Sequence, residues 1–181
     1  CEKKKEEKRS PKGLLHKFQK LSIATWNARS LAHYKGRLGR KKEGIVRFLL
    51  QRHDVLMLQE VHGNETNMKR IAQAQSQTHW AVWSAHAEND TGGVMTFVRW
   101  SLLHNKTIPE NQILEPGRAI GVTLSHEGHE GGLLNIHNYG LNNKTRAKII
   151  KFGTKAMRTS DSDASGASFL VTAGDFNFST A

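Results

Sequence analysis

The sequence predicts an α/β domain in which a mixed β-sheet carries helices on its outside. Short continuous apolar runs of strand length occur at 21–27 (LSIATWN), 54–60 (DVLMLQE) and 169–173 (FLVTA). Segments of helical period separate some of these runs, and other strand-like runs follow each other across tight polar turns. Helix-linked strands favour parallel pairing and turn-linked strands antiparallel pairing, so the combination excludes a purely parallel, doubly wound sheet.

The elements follow in order. LSIATWN is a short buried strand that ends in a polar loop around Arg29 to Gly36. Residues 38–52 place Leu38, Ile45, Phe48 and Leu49 at helical spacing, with Lys and Arg on the outer face. DVLMLQE holds a continuous apolar run, as suits a strand covered on both faces. Asn67 to Gln77 reads as a helix, and HWAVWSA and GVMTFV as two strands across a turn at Glu88-Asn89-Asp90. Arg118 to Ser125 and Gly132 to Asn138 form a second pair across HEGHEGG. Asn143 to Met157 is helical, with Ala147, Ile150, Thr154 and Met157 on one face. A polar loop, SDSDASGAS, leads to the last strand, and the chain ends six residues after Asp175.

Residues 1–17 (CEKKKEEKRSPKGLLHK) are a charged, disordered lead-in, and 18–181 form the globular part. The lead-in lacks the apolar centre of a secretory signal. No run approaches the roughly 18 consecutive apolar residues of a membrane helix. Cys1 is the only cysteine, which excludes an internal disulfide and favours a reducing, intracellular compartment. The Lys/Arg clusters of the lead-in also fit a nuclear address. The four N-x-[S/T] sequons, at Asn64, Asn105, Asn143 and Asn177, are read as chance. A net charge of +11, concentrated in Lys3 to Lys20 and Arg29 to Arg47, favours a phosphate-bearing partner.

Four apolar runs finish in side chains that do chemistry. LSIATW ends in Asn27, VLMLQ in Glu60, LLNI in His137, and FLVTAG in Asp175 with Asn177 beyond. Ligand sites gather beyond the carboxyl ends of strands in open sheets with outer helices, so these four ends could share one rim. Singly, each has a plain structural reading: Glu60 as a turn cap, GDFN as a tight turn. Trp80, Trp83 and Trp100 could stack on bases, but strand tryptophans are more often core. His126 and His129 lie three apart rather than at zincin spacing. The glycines at 36 and 39 lack the ending of a phosphate loop.

T-W-N-A-R-S-L, L-Q-E-V, N-I-H-N-Y-G and G-D-F-N-F, in this order over about residues 21–179, resemble the successive motifs of the endonuclease/exonuclease/phosphatase superfamily. That superfamily includes apurinic/apyrimidinic endonucleases, deoxyribonuclease-I-like enzymes, retrotransposon endonucleases, inositol-polyphosphate phosphatases and sphingomyelinases. The resemblance implies a two-layer mixed β-sandwich flanked by helices and a Mg²⁺-dependent phosphodiesterase, with Mn²⁺ as a substitute. By resemblance, Glu60 is the main metal ligand, and Asn27 assists the metal or its hydrogen-bond shell. Asp175 orients or deprotonates the attacking water, and Asn177 donates to phosphate oxygens. His137, where the family carries His or Tyr, protonates the leaving group or hydrogen-bonds the phosphate. Such a donor set suits Mg²⁺, which takes few carboxylate oxygens and keeps several waters.

Two departures stand out. Arg29 occupies a place where some members have an acidic residue, and no S-D-H motif occurs in the sequence. The resemblance therefore implies the N-terminal part of the family's domain, an incomplete sandwich, inactive and marginally folded as an isolated chain. The reading is a nuclease fragment of the retroelement or apurinic/apyrimidinic type, acting on nucleic acid, with DNA favoured over RNA. Two alternatives stand beside it: an inositol-phosphate or phospholipid phosphatase/phosphodiesterase of the same fold, and a non-catalytic, basic nucleic-acid-binding remnant of a retroelement.

Overall fold

A computed structural model describes residues 21–32, 36–85, 92–103, 108–126, 129–157 and 169–176. The charged lead-in, the turn at Glu88-Asn89-Asp90, the 160–168 loop and Asn177 lie outside these described residues. The elements are β1 (Ile23–Asn27), α1 (Gly36–Arg52), β2 (Val55–Gln59), α2 (Glu65–Gln73), β3 (His79–Ser84), β4 (Val94–Arg99), β5 (Glu110–Glu115), β6 (Ala119–His126), β7 (His129–His137), α3 (Asn143–Met157) and β8 (Phe169–Asp175). They make two four-stranded sheets, ordered β1-β2-β4-β3 and β5-β6-β7-β8.

Each sheet has one parallel pair, β1 with β2 across α1 and β7 with β8 across α3; the other pairs are antiparallel. Alternation along the strands builds the layers. Val55, Met57, Val94 and Val98 of the first sheet meet Ile120, Val122 and Leu133 of the second in a shared core. The intervening residues Leu56, Leu58, Met95 and Phe97 face outward, onto Val46 and Leu50 of α1 and Met68, Ile71 and Ala72 of α2. On the far side, Leu134 and Ile136 pack under Phe152 of α3. The architecture is the expected sandwich of two mixed sheets flanked by helices. β2 has apolar neighbours on both faces, which is why its sequence runs apolar without alternation.

Two helix faces differ from those the spacing predicts. In α1 the buried positions are Gly39, Val46 and Leu50, with Leu49 partly covered, whereas Leu38, Ile45 and Phe48 are exposed. The stripe is displaced by one residue, so that Val46 and Leu50 pack on Leu56, Leu58, Met95 and Phe97, and on the same side Lys42 Nζ reaches the carbonyls of Ala28 and Arg29 at the end of β1. Phe48 instead lies under the Arg52 guanidinium, 3.7 Å from its ring centre. In α3 the buried side is Thr145, Phe152, Gly153 and Ala156, while Ala147, Ile150, Thr154 and Met157 face solvent. Glycines in the sheet decide this rotation. A Cβ on Gly121 would meet the Phe152 ring at 2.5 Å, so the glycine makes the hollow that the ring fills.

Smaller differences have local causes. α2 begins before Asn67 because Asn64 caps it, accepting from the Asn67 N–H at 3.0 Å. β5 was not expected, since an exposed edge strand such as ENQILE carries no apolar alternation. Trp80, Trp83 and Trp100 pack half-buried against the cores, in keeping with the core reading.

Candidate functional site

The two parallel pairs point the same way, so their carboxyl ends share one rim. In register, Asn27 lies beside Gln59, and His137 beside Asp175. Inward-facing positions of β1, β2, β7 and β8 thus finish at one level, two in each sheet. Four of the five residues singled out from the sequence meet there: Asn27, Glu60, His137 and Asp175. The fifth, Asn177, lies outside the described residues.

Glu60 needs more than its strand to reach the rim. In β2 the odd positions face the second sheet, so plain alternation would send Glu60 toward the helices. A positive φ of 49° at Glu60 turns its side chain to the rim instead. Arg29, Ser30 and His62 share this left-handed conformation, with φ of 41°, 70° and 50°. Such residues persist where neighbours over-determine the backbone. Here the loop after β1 and the loop after β2 are laced together: Ala28, Ser30 and Ala32 donate to the carbonyls of Gln59, Glu60 and Val61 at 2.7–2.8 Å. On the other side Val61 and His62 donate to Gly93 and Gly92. Arg29, flagged as a departure, is exposed, and its N–H donates to Asn27 Oδ1 at 3.1 Å.

Two of the polar contacts cross between the sheets, Asn27 to Asp175 and His137 to Glu60. Asn27 Nδ2 donates to Glu60 Oε1 at 3.0 Å and to Asp175 Oδ2 at 2.6 Å. His137 Nε2 lies 3.4 Å from Glu60 Oε1. His62 Nε2 is 4.0 Å from Glu60 Oε2, and its Nδ1 meets Ser30 Oγ at 2.5 Å. Arg118 Nη1 contacts His137 Nδ1 at 2.8 Å. Burial first, and then the Arg118 charge, lower the His137 pKa below its usual value, against opposing pulls from Glu60 and Asp175.

Ligand atoms of Glu60, His137 and Asp175 lie within 4.8 Å of one another, close enough for one metal ion. Two carboxylates this near repel unless a positive group lies between them, and the Asn27 amide hydrogens fill that place. A hard divalent cation fits the same position and the same oxygen-rich donors. With its oxygen held by the Arg29 N–H, Asn27 presents nitrogen to the carboxylates; in this orientation it belongs to their hydrogen-bond shell.

Sequence reasoning missed the groups that hold the site. Arg118 reaches His137 because β6 and β7 pair with Ala119 opposite Ile136, a register that composition does not reveal. Beneath the rim, Gln59 Nε2 donates to Asn135 Oδ1 at 2.7 Å, joining the sheets through side chains that are almost fully buried. Asn135 Nδ2 in turn contacts Leu58 O, Met95 O and Thr96 Oγ1. The signal was present: Gln59 and Asn135 are the polar residues inside LMLQE and LLNIH.

The sequence matches the Endonuclease/Exonuclease/phosphatase family over residues 24–180. No curated protein matches it. Among solved structures, the chain is similar to the AP endonuclease LMAP of Leishmania major, with a TM-score of 0.63 and 18% identity over 86% of this chain and 54% of that one. It is similar to D. rerio TDP2 complexed with single strand DNA product, with a TM-score of 0.57 and 18% identity over 88% of this chain and 61% of that one. The 3′ phosphatase NExo from Neisseria, bound to a product DNA hairpin, aligns with a TM-score of 0.51 and 20% identity over 89% of this chain and 59% of that one. The chain thus spans just over half the length of these structures. A family match that runs through all four strand ends, on a sandwich that gathers them at one rim, makes this chain a member of the endonuclease/exonuclease/phosphatase family.

Proposed function

We propose that the chain carries the larger part of the active site of a Mg²⁺-dependent nuclease domain acting on nucleic acid, DNA in preference to RNA. The supporting observation is the convergence of Glu60, Asp175, Asn27 and His137 at the ends of two parallel strand pairs from opposite sheets. Glu60 is the main ligand for Mg²⁺, or for Mn²⁺ in its place, and Asn27 holds the two carboxylates in position. A bound divalent cation would polarise the scissile phosphoryl group and offset charge on the leaving oxygen. Asp175 orients the attacking water or accepts its proton. His137 donates through Nε2 to a phosphate oxygen or the leaving group, and Asn177 adds a further donor. Positive charge on Arg29 to Arg47 favours a polyanion, and two structural relatives are described as bound to DNA. A retroelement or apurinic/apyrimidinic type of endonuclease is the reading within the family. Because the sequence contains no S-D-H motif, we take the 181 residues by themselves not to turn over.

Metal binding tests this without requiring turnover. The chain should bind Mn²⁺, read by loss of its free-ion electron paramagnetic resonance signal, and Mg²⁺ should compete. Glu60→Gln should weaken that binding at least tenfold, about 1.4 kcal/mol, since a neutral amide replaces the chief carboxylate. Unchanged affinity in the variant removes the proposed site. DNA binding should fall steeply with salt; tighter binding of soluble inositol phosphates than of DNA would instead favour the phosphatase branch of the family.

A further inference from the structure

Arg118 lies in the turn between β5 and β6, and the site as described so far gives it no task. Its backbone carbonyl accepts from the His137 N–H at 2.7 Å, and its guanidinium reaches back to His137 Nδ1 at 2.8 Å. The exposed Tyr139 ring flanks both groups, 5.1 Å from the guanidinium carbon and stacked on the imidazole at 6.3 Å between centroids. The histidine side chain is only 6% exposed.

We infer that Arg118 is a positioning residue that holds His137 with its proton on Nε2, so that His137 serves the site as a hydrogen-bond donor and not as a metal ligand. The inference deepens the proposed function and rests on that reading for the metal.

The argument uses only donors and acceptors. A guanidinium has N–H donors and no acceptor, so the nitrogen it approaches must present a lone pair. Nδ1 is that nitrogen, which puts the ring proton on Nε2. Nε2 in turn lies 3.4 Å from Glu60 Oε1, an acceptor. The two contacts therefore select the same tautomer. Turning the ring over would set carbon against both the guanidinium and the carboxylate, losing both contacts at once. Coordination of a cation through Nε2 would require that nitrogen to lose its proton while Nδ1 stays occupied by Arg118. The ring would then carry no proton at all, beside two carboxylates. The ion-sized group of three ligand atoms thus reduces to two carboxylates, with the His137 N–H left for a phosphate oxygen entering beside Glu60.

The test is nitrogen NMR on the chain labelled with ¹⁵N-histidine, using two-bond proton–nitrogen correlations, with His137→Gln to assign the signals. His137 should show a protonated Nε2 and an unprotonated Nδ1, and saturating Mg²⁺ should leave both nitrogen types unchanged. Arg118→Met should mix the two tautomers, and Arg118→Lys, which keeps a donor, should restore the parent pattern. Zn²⁺, which takes imidazole nitrogen readily, should bind Arg118→Met at least tenfold more tightly than Arg118→Lys. A protonated Nδ1 in the parent chain, or an Nε2 signal that shifts to a metal-bound form with Mg²⁺, overturns the inference; both readings need only the parent protein. If the tautomer is as stated but Glu60→Gln binds Mn²⁺ as well as the parent, the metal reading fails and the role of Arg118 stands.

Discussion

Replacing Asn135 by leucine should destabilise the fold well beyond what its size suggests. The side chain is fully buried between the sheets and accepts from Gln59 Nε2 at 2.7 Å. Its two N–H groups serve three acceptors, Leu58 O, Met95 O and Thr96 Oγ1, at 3.0–3.2 Å. Leucine removes the equivalent of three hydrogen bonds, each worth about 1 kcal/mol net. It also strands the amide of Gln59, itself buried and left with Thr25 Oγ1, at a further cost of about 1–3 kcal/mol. Added apolar burial offsets about 1–2 kcal/mol, so the expected loss is about 2–5 kcal/mol. In a chain of this size that is on the order of 10 °C in Tm. Urea unfolding followed by circular dichroism measures it. A double-mutant cycle isolates the pair: Gln59→Leu with Asn135→Leu should cost about 1–2 kcal/mol less than the two single losses added, because no stranded amide remains. A loss under about 1 kcal/mol for Asn135→Leu, or an additive cycle, would show that the two sheets are not locked through this pair.

Three further outcomes follow from the geometry. In Gly174→Ala the new Cβ would lie 1.8 Å from the Ile136 carbonyl oxygen, so β8 must shift and carry Asp175 with it; unfolding curves should show a loss of about 3 kcal/mol or more, and parent-like stability would refute the strand geometry. Asp175→Asn should leave DNA affinity within about twofold in a filter-binding assay while lowering turnover in a protein that also carries the S-D-H motif; lost affinity with turnover kept would reverse its assigned role. Burial, and then Arg99, lower the His79 pKa from 6.5, against pulls from the His53 carbonyl and Asp54. The unfolded chain therefore takes up a proton on His79 before the folded one does. Stability from this residue is present above about pH 6.5 and is lost as pH falls toward the lower folded value. The stability advantage of the parent over His79→Phe should shrink between pH 8 and pH 5, and an advantage independent of pH would contradict the assignment.

The sequence by itself determined the mixed sheet, most of the strands and the residues at their ends, because those signals are local. An apolar run such as VLMLQ reports a strand with both faces covered, and a polar residue closing it reports a strand end. That local grammar located Asn27, Glu60, His137 and Asp175, and the family motifs gave them roles to test. Tertiary structure decided which face of α1 and α3 is buried. Both helices carry apolar residues on more than one side, and the choice depends on what lies opposite: the outer apolar face of β2 and β4 for one, the Gly121 hollow for the other. It also decided that Arg118 sits on His137 and that Gln59 meets Asn135, residues 76 positions apart. These pairings arise from strand register and from the facing of two sheets: the sequence marks Gln59 and Asn135 as polar residues inside apolar runs, but not that they meet.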